Sequence, residues 1–147
     1  DEAATRGGVV SHGSTTGSGA AMDQGKAVVS YAATPSGKVP VGLLLNDMVD
    51  IDLTRQHVNW HKDEVARGGK VALLTQGWVV TSSIEGTAPT AGAGAYLAHS
   101  GNLASSSIAD DVGEGGHQMI GRFLSGADED GYYKVSVNLP NVYTNNN

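Results

Sequence analysis

The chain has 147 residues, the length of one ordinary domain, and its 9 basic and 15 acidic side chains give a net charge of −6 with neutral histidines. This acidic balance argues against a nucleic acid partner, because duplex binding usually requires clustered lysine and arginine. No stretch approaches the roughly 20 apolar residues of a transmembrane helix, so no membrane partner is expected. The chain has no cysteine, which excludes disulfides, a thiolate nucleophile and cysteine-ligated zinc.

The first 25 residues differ in composition from the rest of the chain. They are rich in Gly, Ser, Thr and Ala and contain one short apolar pair, Val9 and Val10. Such a segment buries little apolar surface, so we expect an extended flexible N-terminal arm, which can pair with a neighbour's sheet edge through Val9 and Val10. A disordered tail is the alternative. Deleting residues 1–25 is expected to leave the melting transition of the remaining domain nearly unchanged.

From residue 26 onward the pattern changes to short β-type runs. Residues 27–31 form the first run, and a turn is predicted at 34–37. Residues 39–45 are almost continuously apolar, which predicts a buried strand with Pro40 at its start or edge. Residues 48–53 alternate, which predicts a strand whose buried face carries Val49, Ile51 and Leu53.

The segment 54–67 is the most charged part of the chain and permits two interpretations. A short helix would group Val58, His61 and Val65 on one side. A strand would instead group Val58 with Trp60.

The second half of the chain predicts several more strands. Residues 70–75, 77–84 and 119–124 are β-rich, and Trp78 is predicted to be a core residue. A loop with a short apolar piece is expected over residues 91–102. The last strand is predicted to bury one face and expose the other. The buried face carries Tyr133, Val135, Val137 and Leu139, and the exposed face carries Tyr132, Lys134, Ser136 and Asn138.

Frequent glycine (21 residues) and regular turns favour short strands over long helices. The chain therefore predicts an all-β fold, a small β-barrel or sandwich of about eight short strands with an extended flexible arm. The predicted divisions are the N-terminal arm (residues 1–25), the β-barrel domain (26–140) and a C-terminal tail (141–147).

Motifs for catalysis or metal binding are incomplete. His57 and His61 have the spacing of metal ligands on a helix, yet the Glu of H-E-x-x-H is absent. Hydrogen bonding at the surface or between subunits is the favoured interpretation of these histidines, and the candidate intersubunit contacts are His57, Trp60 and His61. The acidic run 128–131 does not have the EF-hand spacing, and a turn into a strand explains it. No glycine cluster completes a nucleotide-binding motif, so we predict no enzyme activity, no cofactor and no metal.

Three segments carry a resemblance to a known family. The block VGLLLNDMVDIDLTRQHVNWHKDEVARGGKVALLTQGWVVTSS spans residues 41–83. It resembles the central block of the head decoration (cement) proteins of tailed double-stranded DNA bacteriophages. The pieces GAYLAHSGN and GRFLSGADEDGYYKVSVNL resemble the closing hairpin of the same family. Together the similar segments lie within residues 26–139.

The resemblance implies a structural protein of the virion, located on the outer surface of the capsid. Its implied partner is the major capsid protein, whose neighbouring subunits it staples after the shell expands, against the pressure of packaged DNA. A homotrimer at three-fold and local three-fold sites is implied as well. Arms of related proteins add to strands of the capsid protein, which makes Arg6, Val9 and Val10 the expected capsid contacts.

A module associated with the phage tail or fibre, or a carbohydrate-binding module of the virion, is the alternative. Such modules bind sugars on exposed aromatic side chains. The candidates here are Trp60, Trp78, Tyr132 and Tyr133.

Overall fold

The computed structural model describes residues 2–12, 28–29, 31–49, 64–66, 69–105 and 118–139. These residues form twelve β-strands and a three-residue 3-10 turn at His99–Gly101, and no α-helix occurs within these ranges. In chain order the strands are β1 (Glu2–Ala4), β2 (Val9–His12), β3 (Val28–Val29), β4 (Pro40–Leu44), β5 (Asp47–Val49), β6 (Glu64–Ala66), β7 (Leu73–Leu74), β8 (Gln76–Thr81), β9 (Gly94–Leu97), β10 (Leu103–Ala104), β11 (Met119–Phe123) and β12 (Tyr133–Asn138). The all-β prediction is confirmed.

The strands form three sheets. The largest is antiparallel with five strands in the order β10-β9-β11-β12-β8, and the second has four strands in the order β3-β2-β4-β7. The third contains β1-β5-β6, in which β5 and β6 run parallel. The architecture is a sandwich, and the described strands do not close into a barrel.

The main core lies between the five-stranded and four-stranded sheets. Val9 of β2 and Leu43 of β4 contribute to it from the four-stranded sheet. The five-stranded sheet contributes inward-facing residues of its strands and the residue after β12, namely Ala95, Leu97, Leu103, Ile120, Phe123, Tyr133, Val135, Val137 and Leu139. This set includes the whole predicted buried face of the last strand, so that prediction is confirmed.

A second, smaller core covers the opposite face of the four-stranded sheet. Val10 and Leu44, the neighbours of Val9 and Leu43, point into it together with Ala4 of β1 and Met48 of β5. Successive side chains of a strand point to opposite faces. The four-stranded sheet is therefore covered on both faces, which explains why β2 and β4 carry consecutive apolar residues.

The prediction of a flexible arm over residues 1–25 is wrong for residues 2–12. These residues form β1 and β2, and β2 lies inside its sheet between β3 and β4. The segment is polar on average, and this composition predicts an arm. A strand in the middle of a sheet, with both faces covered, nevertheless needs only a few well-placed apolar residues. Residue 1 and residues 13–25 of the predicted arm lie outside the described residues, as does the predicted C-terminal tail, residues 141–147.

The remaining strand predictions have mixed outcomes. The strand over 39–45 is β4, and it begins at Pro40 as expected. In the strand predicted over 48–53, β5 buries Met48 while Val49 is half-buried, so the predicted facing is wrong in the described part. Within the ambiguous segment 54–67, the described residues Glu64–Ala66 form a strand, β6. The loop predicted over 91–102 contains β9.

Tyr31 joins the N-terminal segment to the turn between β9 and β10. Its hydroxyl donates a hydrogen bond to the carbonyl of Thr5 and accepts one from the backbone N–H of Gly8 at 3.0 Å. Its ring lies against Gly8 and Gly101, at both of which a Cβ atom would collide with it. Burial raises the pKa of the Tyr31 hydroxyl, and nearby Asp47 raises it further, against the lowering effect of the Gly8 hydrogen bond.

Candidate docking surface

The outer face of the five-stranded sheet carries large apolar side chains in solvent. Trp78 and Val80 of β8 are 63% and 51% exposed. They lie opposite Ser136 and Lys134 of β12, on the face away from the core, while Val79 between them packs against the core. Large contiguous patches of exposed apolar side chains commonly mark sites of interaction with other molecules, which makes this face the candidate docking surface.

The edge position of β8 exposes its backbone as well. β8 pairs with β12 on one side, and no described strand pairs with its other side. The backbone N–H and C=O of Lys134 point toward β11, to the Ser125 hydroxyl and the Leu124 N–H. In an antiparallel strand, the backbone groups of successive residues point to opposite sides, so those of Val135 point toward β8 and pair with Val79. The backbone groups of Trp78 and Val80, on either side of Val79, therefore point to the open edge.

Lys134 supplies the positive charge of this surface. Its ammonium nitrogen lies 4.1 Å from the centroid of the Trp78 ring, a cation–π contact between neighbouring strands. Among the described residues no carboxylate forms an ion pair with Lys134. The surface therefore combines an indole, a valine and a cation whose charge is not neutralised by a neighbouring acid in this part of the chain.

The turn between β11 and β12 borders the surface. The Asp128 carboxylate accepts hydrogen bonds from the backbone N–H of Asp130 at 3.0 Å and of Tyr132 at 2.7 Å. Gly131, with φ at +79°, allows the chain to reverse there. This turn places Tyr132 in solvent beside β12, and it explains the acidic run 128–131 as a turn into a strand.

The predicted capsid contacts at the N-terminus are in different environments. Val9 and Val10 are 1% and 0% exposed and belong to the chain's own two cores, so their assignment as capsid contacts is wrong. Arg6 is exposed, and its backbone N–H donates a hydrogen bond to the Asp47 carboxylate at 2.7 Å. Arg6 is thus presented from a turn that is attached to β5.

Among the described histidines, His99 contacts an acidic side chain. His57, Trp60 and His61 fall outside the described residues. His99 Nδ1 lies 3.0 Å from Glu85 Oε1, and the other oxygen of Glu85 accepts the backbone N–H of His99, so this pair anchors the 3-10 turn. In the parts of the chain that are described, no group of three or more His, Asp or Glu residues could hold a metal ion.

The prediction of Trp78 as a core residue is wrong, and Tyr133, a candidate for an exposed aromatic platform, is buried instead. One weak signal in the sequence of β8 indicates the exposure of Trp78. Trp78 shares its face with Gln76 and Val80, whereas Val79 and Thr81 share the other. A glutamine at one end of a face indicates solvent on that face.

No protein-family model matches the chain, and comparison with curated proteins finds no match. Within the described residues, none of the secondary structure is a helix long and apolar enough to cross a lipid bilayer.

Proposed function

We propose that this chain is a structural, non-enzymatic virion protein that binds the outer surface of the expanded capsid of a tailed bacteriophage. It staples neighbouring subunits of the major capsid protein and stabilises the head against packaged DNA. The proposal starts from the similarity of residues 41–83, 94–102 and 121–139 to head decoration proteins. An all-β sandwich of this size is compatible with such a role.

One observation carries the proposal: the similar segments and the exposed apolar surface coincide. β8 and β12 lie inside the similar segments, and they carry Trp78, Val80 and Lys134 on their outer face. Exposed apolar patches on soluble domains commonly mark sites of interaction when they are contiguous and large. An exposed apolar surface on the part of the chain that resembles a cement protein supports attachment to a shell.

Multivalency explains how a small contact would be sufficient. A decoration protein occupies many equivalent positions on one lattice, and a homotrimer at three-fold and local three-fold sites attaches through three contacts at once. Each contact can then be weak by itself. The net charge of −6 would help to keep a densely decorated particle soluble. Val9 and Val10 have no part in this contact, because they stabilise the folded domain.

Co-sedimentation with undecorated shells tests the proposal. The purified chain is mixed with expanded shells and, as the control, with unexpanded shells of the same phage. We expect saturable binding to expanded shells alone, with three copies per occupied three-fold site. Absence of binding to both forms, with a folded chain, would contradict the proposed function.

Exposed aromatic residues also support the second candidate, a carbohydrate-binding or fibre-associated module. Trp78 and Tyr132 are both exposed near the outer face of one sheet. Lys134 lies over the indole of Trp78, however, where it competes with a sugar for a ring face. Specific hits on a glycan array that disappear in Trp78→Ala, without binding to shells, would favour this second function.

A further inference from the structure

Within the described part of the chain, the open edge of β8 lacks the features with which proteins usually protect an exposed strand. Its sequence, QGWVVT, has no proline and no charged residue, and it presents two large apolar side chains. Natural edge strands are commonly protected by lysine, proline, a bulge or a covering segment. An unprotected edge of six residues is suited to pairing with another strand.

We propose that the edge of β8 accepts an extended segment of the partner protein as an added strand, and that this segment carries apolar residues and a carboxylate. The backbone N–H and C=O groups of Trp78 and Val80 point to this edge and would form the new ladder. The apolar side chains of the added strand would lie against Trp78 and Val80. The inference rests on the proposed function only in taking the capsid subunit as the source of this segment.

Charge favours an acidic segment over a second copy of this chain. Lys134 lies above Trp78, one strand from the edge, without a carboxylate partner among the described residues. A carboxylate on the added strand would pair with this ammonium group. Pairing of two β8 edges would instead bring a second, identical lysine to the seam and no acidic side chain from either β8, because that strand has none.

Two substitutions at Val80 test backbone pairing. Val80→Pro removes the N–H that points to the open edge, whereas the bonds to β12 come from Val79 and Thr81 and remain. Val80→Thr is the matched control, because it keeps the N–H and the β-branched shape. We expect the proline variant to bind expanded shells about tenfold more weakly, because it loses a hydrogen bond and blocks strand pairing. The threonine variant should bind within about twofold of the native chain.

Side-chain variants keep the test informative if the proline variant does not fold. Trp78→Ser is expected to weaken shell binding at least about tenfold, as for a buried aromatic anchor. Val39→Ser is its control, since Val39 is 47% exposed but lies just before β4 of the four-stranded sheet. This control substitution should not alter shell binding. Lys134→Glu should weaken binding about tenfold because it places like charges together.

Hydrogen exchange of the native chain, read by mass spectrometry at residue resolution, tests the added strand directly. The amides of Trp78 and Val80 should exchange rapidly in the free chain and slowly on the shell, whereas the Val79 amide should be slow in both. Shell binding without new protection at Trp78 and Val80 overturns the added strand and leaves the proposed function intact. A native chain that does not bind shells contradicts the proposed function instead.

Self-association is the remaining outcome. Sedimentation velocity of the free chain should show the same mass for the native and Val80→Pro proteins. A dimer that the proline variant abolishes would assign the edge to a second copy and overturn the inference.

Discussion

Tyr31 shows how one residue connects segments that are distant in the chain. Its hydroxyl bonds to Thr5 and Gly8, its ring lies against Gly101, and the next residue, Ala32, accepts the backbone N–H of Ser100 at 2.9 Å. The two glycines leave the space that the ring occupies. Tyr31 therefore couples the N-terminal strands to the five-stranded sheet.

The raised pKa of Tyr31 predicts a loss of stability at alkaline pH. Above the ordinary value of 10.0 the unfolded chain loses the phenolic proton while the folded chain retains it. The free energy of unfolding therefore falls from about pH 10 up to the raised pKa, and this contribution is fully present at lower pH. Denaturation at pH 8 to 11 should show a smaller alkaline decline in Tyr31→Phe than in the native chain. An equal alkaline loss of stability in the two proteins would contradict its attribution to Tyr31.

Ser11 places a polar side chain in the protein interior. It is 1% exposed, and its hydroxyl has no hydrogen-bond partner within the described structure. Burying an unpaired hydroxyl costs free energy, so Ser11→Ala should raise the free energy of unfolding by about 1 kcal/mol. Thr81→Val is the control, since the Thr81 hydroxyl donates to the Gly7 carbonyl at 2.7 Å. It should lower stability by about 1 kcal/mol or more in the same urea titration.

Gly121 is required by the close approach of β11 and β12. A Cβ atom at this position would overlap the carbonyl oxygen of Ser136. Gly121→Ala should therefore force the strands apart and cost about 3 kcal/mol or more. At Gly126 a Cβ atom would meet nothing within 4 Å, so Gly126→Ala should leave the thermal midpoint nearly unchanged. Equal midpoints for both variants would contradict the register of β11 and β12.

At the scale of an element, β12 has one face in the core and one in solvent. Val135 is 0% exposed, and its neighbour Ser136 lies on the outer face. Val135→Asp would bury an unpaired charge, with a loss of more than about 4 kcal/mol, and should abolish the folded circular dichroism spectrum. Ser136→Asp should leave that spectrum unchanged. A folded Val135→Asp variant would contradict the facing of the strand.

The sequence of β12 predicts its facing correctly and the sequence of β8 does not, for a physical reason. In β12, apolar and polar residues alternate without exception from Tyr133 to Asn138. In β8, Trp78, Val79 and Val80 are all apolar, so the pattern resembles a strand buried on both faces. Gln76 is the one local sign of solvent on the outer face; the sheet order shows that β8 is an edge strand among the described strands, and the exposure of Trp78 and Val80 shows that its outer face is uncovered there.

At the scale of the whole molecule, the N-terminal strands belong to the core. Deleting residues 1–12 removes β1 and the middle strand β2, together with Val9 and Val10. The remaining chain should lose its cooperative melting transition, in contrast to the nearly unchanged transition that an independent arm predicts. A calorimetric scan of the truncated and native chains distinguishes the two. A retained transition at the native midpoint would contradict the described packing of β2.

The sequence by itself determined the all-β class, the apolar strand that begins at Pro40 and the buried face of the last strand. These properties depend on local features, namely turn residues, proline geometry and alternation with a period of two. The three-sheet arrangement, the burial of Val9 and Val10 and the exposure of Trp78 were decided only by the tertiary structure. Each depends on which strands become neighbours and whether a face is covered, and contacts between distant segments leave no local pattern in the chain.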